Sequence, residues 1–302
     1  MKTLQLIGII FFSLLIYNCS SDDDNMPQND IIPTQSIKLT GVITGTLETL
    51  FNYDENDRLT SYTYSGVPSN IIYDSEGKII QFSNYTYNYD SLDRVSGVTQ
   101  TNSALFTNIA TNYTYNNNNL VLTSYTHYTY SSSGTTNYIE RQYEYNTDNK
   151  ITTVTETASE NSYSTKVKLF YNTQGNVSQI INEASYDNGL TYTITETQTF
   201  SYDNKKNPGI LTLNKLGIDN PQSIFNLAEL YDQSPENYVF FRTCIYNNNN
   251  ITQVAIQGDS YSSLKEYDYV YNEFDYPISA EVTHSNGDVT SKNWIYEITE
   301  TP

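Results

Sequence analysis

The chain has 302 residues, with 34 acidic against 15 basic side chains and a formal net charge of −19. Such a polyanion is repelled by nucleic acid and anionic lipid, and no basic run offsets this, so nucleic-acid binding is excluded. Thirty tyrosines stand beside only two cysteines, Cys19 and Cys244, which rules out a disulfide framework and points to aromatic packing as the source of stability.

Residues 1–18 read as a targeting segment. Lys2 supplies the positive start, and Leu4 to Ile16 is apolar but too short to span a bilayer comfortably. Cys19 follows with Ile16 three places before it, an arrangement that resembles the lipobox of a bacterial lipoprotein, although Tyr17 and Asn18 are larger than that pattern prefers. The resemblance implies cleavage before Cys19 and its acylation. Ser20, Ser21, Asp22, Asp23 and Asp24 come next and resemble the surface-export signal of Bacteroidetes lipoproteins. Residues 19–36 are expected to be an acidic, disordered tether able to hold a folded body up to roughly 50 Å from its anchor. Once Cys19 is acylated, Cys244 is left alone beside Phe240, Phe241 and Ile245, as a small apolar residue.

Residues 37–302 are expected to form one β domain. A phrase of the form Tyr-X-Tyr-Asp/Asn recurs along it, each time followed by a polar turn and then an apolar residue. Aligned on its last tyrosine, the phrase falls at Tyr53, Tyr73, Tyr89, Tyr115, Tyr145, Tyr171, Tyr202, Tyr246 and Tyr271, and Tyr296 closes the series. The intervals run from 16 residues (Tyr73 to Tyr89) to 44 (Tyr202 to Tyr246), too uneven for the constant coil of a solenoid. Alternation as in Tyr143-Glu144-Tyr145 is the two-residue period of a strand. Asp54-Glu55-Asn56-Asp57 or Asn172-Thr173-Gln174-Gly175 then supplies residues that tolerate the left-handed backbone of tight turns. The return strand begins apolar and places a second apolar residue three positions on, as in Leu59 and Tyr62, Ile79 and Phe82, or Ile151 and Val154.

Consecutive antiparallel hairpins in a curved or coiled meander sheet are the fold this predicts. In the copies at Tyr115 and Tyr246 the apolar residue comes one place sooner (Leu120, Ile251), which predicts a shorter turn there. Between Tyr202 and Tyr246 the rhythm breaks. Asn220 and Pro221 suit a helix start, and Ile224, Leu227, Ala228 and Tyr231 fall at helical spacing, predicting a short helical insert near 220–232 that covers or plugs the sheet.

The phrase Tyr73-Asp74-Ser75-Glu76-Gly77-Lys78-Ile79 resembles the YD repeat of Rhs and teneurin proteins, as do the copies with Tyr53, Asp54 and Arg58 and with Tyr89, Asp90 and Arg94. Later copies exchange Asp for Asn and lose the arginine. Tyr202-Asp203-Asn204-Lys205-Lys206-Asn207-Pro208 and Tyr271-Asn272-Glu273-Phe274-Asp275-Tyr276-Pro277 are similar to phrases in uncharacterised Bacteroidetes surface lipoproteins with YD-like repeats. That resemblance implies display on the outer membrane and carries no defined activity.

Catalytic signatures are missing from the sequence: no nucleophile elbow, no phosphate-cradling glycine loop, no His/Cys metal spacing. The chain is expected to be no enzyme and to need neither cofactor nor metal. The acidic tips Asp54–Asp57 and Asp90–Asp93 lack calcium-loop spacing and read as solvated turns. The expected role is a non-catalytic binding or adhesion module on a lipid anchor, with a glycan or a surface protein as ligand. Two alternatives stand beside it. One is an envelope scaffold without a small ligand. The other is a glycan hydrolase, which would need two carboxylates, or a carboxylate with His127 or His284, converging in a cleft.

Overall fold

A computed structural model describes residues 34–101, 106–159, 163–216 and 247–301. Its body is one 18-stranded antiparallel sheet. Each strand pairs with the next along the chain, and β1 (Thr34–Thr44) pairs both with β2 (Leu47–Tyr53) and with β18 (Val289–Thr301). The sheet is therefore a closed barrel, not the open curved meander expected from the repeats. The reason lies in the chain's two ends. Trp294-Ile295-Tyr296 is the outgoing half of a motif whose return half, Lys38-Leu39-Thr40-Gly41-Val42, stands at the start of the domain, and Leu39 pairs with Tyr296. A repeat split across the ends removes both free sheet edges.

Within each hairpin the ladder slips by one residue at the same place. In β2 and β3 (Leu59–Tyr64), Asn52 pairs with Ser61 but Tyr53 with Leu59, so Thr60 is the extra residue of a β-bulge. The same shift recurs at Tyr73↔Ile79, Tyr89↔Val95, Tyr115↔Val121, Tyr145↔Ile151, Tyr171↔Val177 and Tyr271↔Pro277. In a regular strand, residues three apart point to opposite faces. The bulge returns both to one face, which is why Leu59 and Tyr62 are 0% and 2% exposed, and Ile151 and Val154 both 1%. These residues and the first aromatic or aliphatic of each motif, such as Phe51, Ile71, Leu169 and Phe200, make one continuous core inside the barrel. Each fully buried aliphatic contributes about 1.5–3 kcal/mol.

The turn after Tyr115 is not shorter. Asn116 accepts from Asn119 and donates to the Leu120 carbonyl, as Asp54 does with Asp57 and Arg58. Leu120 takes the place held by Arg58, and the buried residue is Val121. Ile251 pairs with Tyr202, so it begins the return strand of the Tyr202 motif. One hairpin, β14 (Thr193–Lys206) and β15 (Asn249–Gly258), spans the interruption.

Among the described residues the one helix is α1 (Gly209–Asn214), six residues long, just after β14. The insert expected near 220–232 lies outside the described residues. After α1 the chain turns inward: Leu216 is 1% exposed and belongs to the core, with Leu211 packed against it. The Lys215 carbonyl accepts the Leu59 N–H at 3.2 Å, which pins this segment over the end of the barrel that carries the motif turns.

Candidate functional site: the tyrosine ring and the outer rim

The motif turns share one construction. Asp54 Oδ1 accepts the backbone N–H groups of Asn56 and Arg58, both at 2.9 Å. Asp74 does this for Glu76 and Lys78, and Asp90 for Leu92 and Arg94. Asn116, Asn146, Asn172 and Asn272 repeat it in later copies, since an amide oxygen serves as well as a carboxylate. The fourth turn residue is left-handed in every case, from φ 61° at Asp93, Asn119 and Asn149 to 86° at Gly77. These backbone bonds, Arg58 and Lys78 foremost, hold the Asp54 and Asp74 carboxyls below the usual carboxylate range.

The last tyrosine of each motif reaches sideways to the previous hairpin. Its hydroxyl donates to the carbonyl of the residue that begins the preceding return strand: Tyr73 to Leu59 at 2.7 Å, Tyr115 to Val95, Tyr145 to Val121, Tyr171 to Ile151 and Tyr202 to Val177 at 2.6 Å. Tyr89 bonds Ile79 and Tyr296 bonds Pro277 in the same way, each at 2.7 Å, and Tyr53 closes the ring onto Leu39 at 2.5 Å. Burial raises these phenols, Tyr53 and Tyr115 up to about 12. The motif cation then covers the next ring: Arg58 lies 4.9 Å from the Tyr73 centroid and Arg94 4.3 Å from that of Tyr115. Lys38 fills this role for Tyr53 from the split copy, at 5.9 Å, and its ammonium also pairs with Asp57.

The ring departs from pattern where the insert leaves. Asp203 Oδ1 still accepts from Asn250, as Asp54 does from Arg58, but Tyr271 turns to the Asp203 carboxylate and Tyr269 supplies the bond to the Ile251 carbonyl, at 2.8 Å. Tyr246 and Cys244 lie outside the described residues, as do Cys19, Ser20, Ser21, Asp22, Asp23 and Asp24. His127 packs on Tyr125 with centroids 4.6 Å apart, and His284 faces Thr290 at 3.2 Å, so the two histidines sit in separate local contacts.

Among the described residues, tyrosine at the motif positions is thus committed to the barrel's own hydrogen bonds, and a surface able to meet a ligand has to be sought elsewhere. The outward positions mix polar pairs, such as Lys168–Glu183 at 2.7 Å and Gln253–Glu266 at 3.1 Å, with single apolar residues such as Ile72 and Phe170. Inside the barrel the part beside the motif turns is apolar, while farther along the lumen holds polar groups such as the Arg141–Glu156 pair at 2.8 Å, on the same strand face as Tyr143 and Val154, and the buried Gln198. Among the described residues no helix is long and apolar enough to cross a membrane.

At the end of the barrel opposite the motif turns, the hairpin tips are richer in exposed aromatics. The Tyr163 and Tyr186 rings meet at a tilt with centroids 5.3 Å apart, and Tyr186, Leu190 and Tyr261 are 74%, 83% and 52% exposed. The outer wall of β14, β15 and β16 (Ser262–Tyr271) holds a depression of about 240 Å³, lined among others by Thr199, Ala255, Gln257, Ser262 and Leu264, while Tyr261 lies on the lumen side, its ring over Gly258 and its hydroxyl on the Glu196 carboxylate. Nothing in the sequence pattern marks the depression, because three strands contribute to it and none of its residues belongs to the motif.

No protein-family model matches the sequence, and no curated protein resembles it in sequence. Among solved structures, the chain is similar to a porin-like protein from Bacteroides uniformis: 18% identity, 88% of this chain and 96% of that one covered, TM-score 0.43. It is also similar to part of the Tc holotoxin pore of Photorhabdus luminescens, with 12% identity over 80% of this chain and 12% of that one, TM-score 0.32. A TcdB2–TccC3 structure matches at 10% identity over 80% of this chain and 15% of that one, TM-score 0.26. Each TM-score lies below 0.5, so the functional reading rests on the chain's own residues.

Proposed function

We propose that the chain is a non-catalytic binding module, held at the bacterial outer membrane by an acylated Cys19 and displayed on the cell surface in the manner of a Bacteroidetes lipoprotein with YD-like repeats. The observation that carries this reading is the pairing of a lipobox-like start with a closed barrel whose outer face suits water. Such a body needs an anchor outside its own strands, and the lipid supplies it.

The geometry also favours one orientation. The first five residues of β1, Thr34 to Lys38, run past the motif turns beside the end of β18. The fourteen residues between Cys19 and Thr34 would span roughly 21 Å as a flexible coil, less than the roughly 33 Å of a ten-residue strand. The motif-turn end then faces the membrane, and the rim bearing Tyr186 and Tyr261 faces outward. Incorporation of an alkyne fatty acid that is lost in Cys19→Ala tests the anchor. Protease shaving of intact cells tests display, and removing Ser20–Asp24 should leave the protein acylated but protected. Acylation that persists in Cys19→Ala would defeat the proposal.

A second reading, an envelope scaffold without a small ligand, draws support from the commitment of the motif tyrosines to structure. It predicts an envelope-integrity phenotype on deletion and no saturable binding by the purified protein.

A further inference from the structure

We infer that one flank of the barrel rests on the lipid surface to which Cys19 ties the chain. This depends on the acylation reading above and goes beyond it, since a tether alone leaves the body free to face any way. The flank runs from β16 and β17 (Pro277–His284) through β18, β1, β2 and β3 to β4 (Val67–Tyr73) and β5 (Ile79–Phe82). Near its motif-turn end it shows Val270, Ile278, Ile295, Leu50, Ile72 and Ile80 to solvent, each 37–55% exposed. Ile72, Val270 and Ile295 hold the outward position just before the last tyrosine of a motif, and Ile80 and Ile278 are the extra residues of two bulges. Asn52 is the polar exception at that position on the flank, and Leu50, two places away on the same strand face, takes over. At the seam a Cβ on Gly41 would meet Leu50 Cδ2 at 3.2 Å and Ile295 Cδ1 at 3.3 Å, so the two side chains close over the glycine. Around the rest of the wall, among the described residues, the position before the last tyrosine is Asn88, Thr114, Glu144 or Ser201, with Phe170 the one apolar case. Single exposed apolar residues are ordinary, but a band gathered on one flank marks a contact surface.

Three observations make lipid the occupant. The tether enters at β1, in the middle of this flank, and its fourteen residues, roughly 21 Å as a coil, keep that side nearest the anchor. The band is only one or two outward positions tall, roughly 7 Å, against the roughly 25 Å apolar zone of a spanning barrel. It therefore suits the boundary between headgroups and acyl chains, not the bilayer core. Several carboxylates in the turns beyond it are already paired, Asp54 with Arg58, Asp57 with Lys38, Glu76 with Lys78 and Asp275 with Lys205. A paired charge costs less to bring against lipid than a lone one. A second copy fits the flank less well, because Glu48, Asp268, Glu281 and Glu297 stand exposed on the same strands and two such faces would repel. The barrel accordingly leans towards β1 on its anchor.

The test anchors the full-length acylated protein on phosphatidylcholine vesicles that carry nitroxide-labelled acyl chains. The lipid is zwitterionic because the net charge of −19 is repelled by anionic surfaces. An environment-sensitive dye is placed on single cysteines in a Cys244→Ala background. Ile72→Cys and Ile295→Cys report the flank, and Thr114→Cys and Glu144→Cys report β8 (Phe106–Tyr115) and β10 (Thr136–Tyr145) across the barrel. Nitroxide quenching and a blue shift are expected at 72 and 295, and neither at 114 or 144. If Ile295→Cys melts early, Val270→Cys takes its place. Equal quenching at all four positions, or none at any while the acylated protein floats with the vesicles, overturns the contact surface and leaves the anchor standing. Flank dyes shielded from aqueous iodide but unquenched by lipid, in a protein that cross-links as a dimer, assign the flank to a second copy and overturn it too. Protein that carries no acyl group and does not float overturns the anchor and the contact surface together.

Discussion

Leu39 stands opposite Tyr296 with the same bulged register that joins Leu59 to Tyr53, so the residue that opens the core also completes the last motif. The seam is an ordinary repeat built from distant parts of the chain. It is therefore expected to be as stable as any other hairpin. Leu39→Ala, at a site 1% exposed, should cost about 2–5 kcal/mol, as should Ile151→Ala in mid-chain. Urea unfolding of both variants should stay a single transition. Hydrogen exchange should protect β1 and β18 amides as strongly as those of β11 (Ile151–Ala158) and β12 (Ser164–Tyr171). Early exchange confined to β1 would show the seam to be a weak latch.

The turn chemistry predicts which substitutions the motif accepts. Asn172 Oδ1 receives two backbone N–H groups at 3.0 Å, from Gln174 and Asn176. Asn172→Asp keeps the acceptor and should be nearly neutral, as the Asp54 and Asp74 copies already show by example. Asn172→Ala strands both donors and should cost about 1–3 kcal/mol. At Asn149, whose φ is 61°, glycine should be tolerated and valine should not, because a β-branched side chain is strained in the left-handed region. Thermal melts of the four variants decide it, and a stable Asn149→Val would contradict the turn geometry.

The buried phenols predict a steep alkaline limit. Burial pushes Tyr53 and Tyr115 up to about 12 and raises Tyr73, Tyr145, Tyr171, Tyr202 and Tyr296 as well. In the unfolded chain a tyrosine ionises near 10. Below that pH both states hold the proton and the stability is fully present. Above it the unfolded state binds fewer protons, so stability falls as pH rises towards the folded values. Tyr53 and Tyr115 alone account for up to about 3 kcal/mol per pH unit in that window. Phenolate absorbance and circular dichroism should therefore change together. Phenolate appearing from pH 10 with the sheet intact would show that water reaches the ring.

Much of the hairpin is legible in the sequence. The alternation in Tyr143-Glu144-Tyr145 and the turn residues at 54–57 identified strands and bends because both depend on local backbone chemistry. The pair Leu59 and Tyr62 carried more than it first seemed to, since a spacing of three on one strand face is the signature of the bulge. Closure is not legible, because it requires matching Lys38-Leu39 to Trp294-Ile295-Tyr296 across the whole chain, and although Tyr296 joins the series, the return half at residues 38–42 does not read as part of a copy without a tyrosine phrase before it. The Asn116–Asn119 run misled for a different reason. The first apolar residue after it is Leu120, which sits where other copies place a cation, and the core residue is the next one, the buried Val121. The depression on the outer wall of β14, β15 and β16 has no sequence signal at all, because register between strands creates it.

The insert between β14 and β15 supplies the last prediction. Asp203 already bonds the Asn250 N–H at 3.1 Å, the contact that a five-residue motif turn would make. Replacing residues 204–249 by a three-residue turn such as Ser-Glu-Gly should then restore a regular hairpin. The replacement also removes Leu211 and Leu216 from the core, the Lys215 carbonyl from Leu59, and the 3.0 Å ion pair from Lys215 to Asp57. Leu216→Ala alone should cost about 2–5 kcal/mol, and the shortened protein should lose at least that much. It should remain folded, with far-ultraviolet dichroism of a β protein, yet bind an apolar dye at the exposed end of its core. Dye binding appears only if the segment seals that end, so a shortened protein as stable and as dye-silent as the parent would show that α1 and Leu216 merely rest on the barrel.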